Sequence, residues 1–370
     1  MQISLPCGGR TLPAFRGVAP VPSLIVPDLT LQRPIAVLVD REGLGDALLK
    51  LPFLRAVARG FPGQPVWWIA RHQTAMAGPL RAFLPGALAE VREQVGLGGP
   101  RDDVRRALGQ LPPFSLVFDM RTRIASIWRA RRHLTWDRFL CCLPAYLLSG
   151  ARPPGRLTRP RHIGERALSL VEAALGAPAD PSGELASTQE ATAIARSILP
   201  DGPIYVGIAV GSREARKNWP LDRYITLAEG LAKSGLVPVL LLGPQERDCA
   251  RELRHAAPHL LMVDFMQFPS ELDRLDAAIA LAGRLSVVVA NDSGMGHLFG
   301  AAGRPVVSLF GPTDPRRWAP FAPMQRTVRA QEFGGEAMAL IQPEAVLLAV
   351  QETVAASRNT AMMSAVRTEI

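Results

Sequence analysis

Lysine is almost missing from this chain. Lys50, Lys217 and Lys233 stand against 39 arginines in 370 residues, so a lysine beside a ligand-like motif is informative. Cysteine is also scarce. Cys7, Cys141, Cys142 and Cys249 show no CxxC spacing, which argues against a zinc site or a disulfide scaffold and fits a reducing cytoplasm. No Asp-x-Asp and no His/Cys cluster of metal spacing occur, so no metal is expected. Without GxGxxG or a Gly-Lys-Ser/Thr loop, a dinucleotide fingerprint and a P-loop are excluded. No RNA-binding aromatic signature is present, and no nucleic acid is expected as a partner. The longest apolar stretch, Phe139 to Ser149, contains Pro144 and is too short to span a bilayer. The first thirty residues lack a basic start followed by an apolar core, so no secretory signal is expected.

The chain is long enough for two domains, each with its own core. With 48% apolar and 20% charged residues, the composition is that of a soluble globular protein. The net charge of +9 is concentrated in one place. From Arg101 to Arg166 there are fourteen arginines and five acidic residues. Such a segment suits an anionic membrane surface or a phosphorylated glycolipid; a solvated arginine-rich surface is the plainer alternative.

Residues 1–33, rich in Pro and Gly, read as an extension. Order begins with an apolar strand, "PIAVLVD" (34–40), followed by a glycine-rich turn and a helix ending at Gly60 and Pro62. Further strands are "VWWIA" (66–70) and "FSLVFDM" (114–120), and the next helix places Ile124, Ile127 and Trp128 on one face. Past a linker at Pro178–Gly183, a second series contains "IYVGIAV" (204–210), "VPVLLLG" (237–243), "HLLMVD" (259–264), "LSVVVAN" (285–291) and "PVVSLFG" (305–311). Apolar strands alternating with helices predict parallel, doubly wound sheets with a cleft at their carboxyl ends. The expected organisation is an extension (1–33), two Rossmann-like domains (34–180 and 181–350) and a tail (351–370).

Four stretches carry candidate chemistry. In "GLGDALLKLP" (43–52), glycines 43 and 45 allow tight turns, and Asp46 sits at a helix start. It is either a helix cap or a carboxylate placed to accept a proton from a hydroxyl. In "AVGSREARKNWPLDRY" (209–224), a strand ends at Gly211-Ser212 and a polar loop delivers Lys217, a compact cation suited to a diphosphate. "LLGPQERD" (241–248) places Glu246 where it could meet ribose hydroxyls or simply favour a helix start. In "NDSGMGHLFGAAGRPVVSLFGPTDP" (291–315), Asp292, Ser293, Gly294 and His297 cluster at a strand-to-helix turn. Helix amides there suit a phosphate, and the Asp suits donors such as hydroxyls.

"RxGLGDxLLxLPxLRA", "KNWP" and the last stretch, in this order, resemble glycosyltransferase family 9, the ADP-heptose:lipopolysaccharide heptosyltransferase family. The resemblance runs over roughly residues 35–350. It implies an α/β GT-B fold, two Rossmann-like doubly wound domains facing across a cleft, and inverting transfer without metal or cofactor. It further implies Asp46 as catalytic base and Lys217 as the phosphate-binding catalytic lysine. Gly211, Ser212, Glu246, Asp292, Ser293, Gly294 and His297 would be the donor contacts, with Arg41, Arg121 and Arg123 on the acceptor side. Ser293 stands where the family more often has Thr, and the "SREARKN" loop is individual. The expected partners are a nucleotide sugar such as ADP-heptose and a glycolipid or glycan acceptor. The expected location is cytoplasmic, with peripheral contact at the inner membrane. A nucleotide-sugar 2-epimerase or a non-catalytic nucleotide-sugar-binding protein are the alternatives.

Overall fold

The computed structural model describes residues 33–98, 101–243 and 247–368. The expected extension therefore lies outside the described residues, Arg33 excepted. Residues 33–370 form one compact unit that contains two separate sheets.

The first series is β1 (Ile35–Val39), α1 (Leu44–Leu48), α2 (Leu51–Gly60), β2 (Val66–Ala70), β3 (Leu88–Arg92), α3 (Arg101–Gly109), β4 (Phe114–Asp119), α4 (Ile124–His133), β5 (Trp136–Cys141) and α5 (Ile163–Leu175). Its strands are parallel in the order β3-β2-β1-β4-β5. All five residues of β1 are buried, as expected of a central strand covered on both faces. The helix expected after β1 is two helices. Lys50 caps the second with φ −101° and ψ 0°, and Pro52, at its start, has no N–H to continue the first.

The second series is α6 (Gln189–Ile198), β6 (Tyr205–Ala209), α7 (Leu221–Lys233), β7 (Val237–Leu242), α8 (Arg247–Ala256), β8 (Leu261–Asp264), α9 (Glu271–Ala282), β9 (Leu285–Asn291), α10 (Gly294–Ala301), β10 (Val306–Phe310), α11 (Pro315–Trp318), β11 (Gln325–Arg329) and α12 (Pro343–Thr368). Its strands are parallel in the order β11-β10-β9-β6-β7-β8. Most of the segment expected as a tail is the second half of α12. Ser270 caps α9 as expected, in a reciprocal box with Asp273.

Order reverses at β1 in the first sheet and between β6 and β9 in the second. In doubly wound sheets a crevice opens at the carboxyl end of such strands. The turn after β1 carries Asp46, the loop after β6 carries Lys217, and the turn after β9 carries Asp292 and His297. The topology thus brings together residues up to 251 positions apart, from Asp46 to His297.

Away from the crevice the two series meet on glycines. Phe321 lies so close to Gly164 of α5 and Gly300 of α10 that a Cβ at 164 would sit 2.1 Å from its ring and 2.4 Å from the Leu49 carbonyl. His162, the N-cap of α5, donates from Nε2 to the Ala319 carbonyl at 2.7 Å, and its ring meets that of Phe321 edge-on. Gly164→Ala should therefore overpack this seam and lower the unfolding free energy by about 1–3 kcal/mol. Urea denaturation checks this, and Phe321→Leu in the same chain should recover part of the loss.

Candidate active site

A cavity of about 510 Å³ opens between the turn Gly43–Asp46 and the loops after β6 and β9, with Thr313 and Trp318 also on its wall. A second cavity, about 440 Å³, shares His297 and is lined by α1, α2, the end of α10, the 181–184 segment and the Phe321 strap, largely with apolar groups. The first holds the candidate chemistry.

Asp46 is not an N-cap. Gly43 holds that position, and Asp46 reaches back from the third helical residue, accepting the Gly43 N–H on Oδ2 at 3.3 Å. The weak contact occupies one oxygen of a half-buried carboxylate, leaving the other for the cavity. Neither neighbouring glycine is needed for a left-handed turn, since both lie outside the positive-φ set. Gly45 is needed for clearance. A Cβ there would stand 2.7 Å from Cδ2 of His297.

Below this turn lies a buried polar knot. The Glu42 carboxylate accepts Trp68 Nε1 at 2.7 Å and Thr74 Oγ1 at 2.9 Å, and pairs with Lys50. Lys50 Nζ also donates to the Asp46 carbonyl at 3.4 Å, while the Glu42 amide donates to Gln73 at 3.2 Å. Every partner of this buried charge is fixed, so the chain on both sides of Gly43–Asp46 is anchored. Sequence reasoning missed Glu42 and Lys50; the rarity of lysine was the available signal.

On the opposite wall Lys217 donates to Asp292 Oδ2 at 2.9 Å and lies 3.2 Å from Glu214 Oε1. Burial lowers the pKa of its ammonium, but the hydrogen bonds and charges of Asp292 and Glu214 outweigh this and hold it above the ordinary lysine value. Two carboxylates use two of its three N–H donors. Asp292 Oδ2 also accepts Thr313 Oγ1 at 2.8 Å, a contact the sequence did not reveal.

Ser293 caps α10 without a side-chain cap bond, and its buried Oγ has no protein partner. A buried hydroxyl on a cavity wall at a helix N-terminus suits a ligand oxygen. Ser212 lines the cavity but spends its hydroxyl on the Glu214 carbonyl at 2.9 Å. Gly211 takes φ +82°, a conformation that favours glycine, and donates to the Tyr224 hydroxyl at 3.4 Å. Gly294 faces Leu44 across the cleft, 3.6 Å from where its Cβ would lie. Arg213, which the sequence reading passed over, brings its guanidinium within 3.9 Å of the Cβ position of Gly43. It is exposed and lines the same cavity.

The other expected contacts divide. Glu246 lies outside the described residues. Arg41 and Arg123 are exposed. Arg121 is a correction to the expected acceptor contacts. Its side chain is 1% exposed and clamps Asp119 through Nε at 2.8 Å and one Nη at 2.6 Å, so it fastens the end of β4 and offers no free cation. Among the described residues no three His, Cys, Asp or Glu side chains assemble in a metal-binding group.

Residues 155–338 match the family described as glycosyltransferase family 9 (heptosyltransferase). The chain belongs to glycosyltransferase family 9. Within family 9, it is 30% identical over 156 residues to lipooligosaccharide heptosyltransferase 2 of Haemophilus influenzae, covering 42% of this chain and 43% of that protein. The match thus spans under half the length of that curated relative. Lipopolysaccharide heptosyltransferase 1 of Pseudomonas aeruginosa is 28% identical over 294 residues, covering 75% of this chain and 79% of that one. The solved structure of Escherichia coli ADP-heptose LPS heptosyltransferase II superposes with a TM-score of 0.61 at 18% identity, covering 87% of this chain and 99% of that one. This likeness shows the GT-B fold of two Rossmann-like halves.

His297 is 7% exposed, and its Nδ1 has no protein partner. Burial pushes its pKa down to about 4; the Asp292 carboxylate opposes this, while His162 and Lys217 add to it. The ring is therefore neutral at pH 7. From about pH 6.5 down to 4 the unfolded chain gains a proton here that the folded chain refuses, so stability falls as pH falls through that window. The loss should be on the order of 3 kcal/mol. Chemical unfolding of the wild type and His297→Gln at both ends of the window should show a shallower slope in the variant.

Proposed function

We propose that the chain is an inverting, metal-independent glycosyltransferase that moves a heptose from ADP-heptose to a lipopolysaccharide-core or related glycan acceptor. The observation that carries this reading is one cavity with a carboxylate on one wall and a cation, a hydroxyl and a helix N-terminus on the other. The names of the family relatives support the choice of heptose and ADP.

Inverting transfer is a single displacement. The acceptor oxygen bonds to the anomeric carbon as the bond from that carbon to the diphosphate oxygen breaks on the far side. Asp46 accepts the hydroxyl proton as general base. The negative charge gathering on the departing diphosphate meets Lys217, Ser293 Oγ and the first amides of α10, which supply the stabilisation a divalent ion could otherwise give. Lys217 keeps one N–H for this role while Asp292 and Glu214 hold the other two. Contact between α1 and α10 excludes water that would hydrolyse the donor. A lipid-linked acceptor would bring the enzyme to the cytoplasmic face of an inner membrane.

Asp46→Asn keeps the shape and can still accept the Gly43 N–H. Glycosyl transfer should fall by about 10²–10⁴-fold while ADP affinity and melting temperature hold. If all three fall together, Asp46 is only a helix-end group and the base lies elsewhere.

Lys217→Ala should weaken ADP binding by about 1.5–3 kcal/mol in calorimetry. The wild-type affinity should be the same with chelator present; a tenfold loss in EDTA would overturn metal independence.

A further inference from the structure

Among the described residues that line the reaction cavity, Arg213 is the one cation that no carboxylate holds. The acids beside it are already engaged. Glu214 Oε2 takes Arg216 at 2.8 Å, and Glu214 Oε1 takes Lys217 at 3.2 Å. Asp292 Oδ2 is shared between Lys217 and the Thr313 hydroxyl. The loop that carries Arg213 is folded by its own bonds. Gly211 turns the chain at φ +82°, Ser212 Oγ donates to the Glu214 carbonyl at 2.9 Å, and Ala215–Lys217 form a short helical turn. Arg213 stands outside these bonds and crosses the cleft. Both terminal nitrogens of its guanidinium lie 3.9 Å from the Cβ position of Gly43. A charge from the loop after β6 therefore rests against the turn that carries Asp46.

Charge balance gives this position its meaning. Of the described lining residues, Arg213, Arg216 and Lys217 are positive, Asp46, Glu214 and Asp292 are negative, and burial keeps His297 neutral. The charges of the walls cancel. A nucleotide diphosphate brings several negative charges of its own, and these grow as the sugar leaves. On the metal-free reading proposed above, helix amides and an uncompensated cation must meet them. Lys217 is compensated by two carboxylates before any ligand arrives, and Arg216 by one. Arg213 is not.

We propose that Arg213 is a further catalytic residue, which donates to the sugar-linked phosphate of the nucleotide diphosphate. The assignment rests on the transferase reading and names a group that reading did not use. As the bond from the anomeric carbon to the diphosphate oxygen breaks, the electron pair stays on that oxygen. The planar guanidinium can meet the added charge with two parallel N–H groups, and it gives up no proton. Its place over Gly43, on the side of the general base, assigns it to the phosphate nearest the reacting carbon. The phosphate next to the nucleoside is left to the other wall.

Calorimetry of the full chain with ADP and with AMP tests this, because the two nucleotides differ by the phosphate in question. Arg213→Gln should weaken ADP binding about tenfold or more, as loss of a charged hydrogen bond does. AMP binding should change by less than about twofold. Arg213→Lys should recover part of the ADP affinity, since the charge is kept and the fork is lost. Glycosyl transfer by Arg213→Gln at saturating donor should fall about tenfold or more, while the melting temperature of the unliganded protein holds. Equal losses for ADP and AMP overturn the assignment. So does an unchanged ADP affinity with a raised KM for the acceptor, which would make Arg213 an acceptor contact. A lowered melting temperature with the ADP-to-AMP ratio unmoved would reduce it to a strut between the walls. Absence of ADP binding in the wild type would overturn the transferase reading as well, whereas binding that Arg213→Gln leaves intact overturns this proposal alone.

Discussion

A histidine edge pressed against a glycine sets the dimensions of the site. His297 belongs to the helix after β9, Gly45 to the turn after β1, and no side chain fits between them. Leu44 against Gly294 repeats the contact one residue away. The gap between the carboxylate wall and the cation wall is therefore fixed by van der Waals contact, which is steep in distance and insensitive to salt. Phe321, lodged between Gly164 and Gly300, does the same at the back of the molecule. A neutral His297 suits this task, because an imidazolium buried there would face the Lys217 ammonium.

Charge within the site is arranged locally on each wall. Glu42 and Lys50 neutralise one another below the Asp46 turn, and Lys217 sits between Asp292 and Glu214 on the far wall. Each set keeps its own loop in shape, so neither depends on the other for its geometry. On the proposed reading, a diphosphate would meet Lys217 already oriented and lose little to reorganisation.

The central strands were legible because each is a continuous apolar run, as burial on both faces demands. The three strands that escaped sequence reading, β3, β5 and β11, are all edges of their sheets. An edge strand has a flank in solvent, so "LAEVR", "WDRFLC" and "QRTVR" keep charges that hide the pattern. In the site, the strand-end positions of Lys217 and Asp292 could be read, but their pairing could not. It follows from β6 lying beside β9, which brings the loops after them together and so joins two residues 75 apart. The role of Gly45 lay hidden for a related reason. A turn is written in local sequence, whereas clearance for His297 depends on a helix 252 residues away. The alternation of Ile124, Ile127 and Trp128 was visible, but not which of them faces the core.

Two of the three lysines are therefore withdrawn into carboxylate clasps, with side chains 10% and 15% exposed for Lys50 and Lys217. Only Lys233, at the end of α7, stands open to solvent. Across the described surface, arginine has taken over the duties that lysine shares in most proteins. Amine chemistry on this molecule is consequently sparse: Lys233 is the ε-amino group that an acylating reagent would find, because Asp292 and Glu214 shield the Lys217 ammonium and hold it protonated.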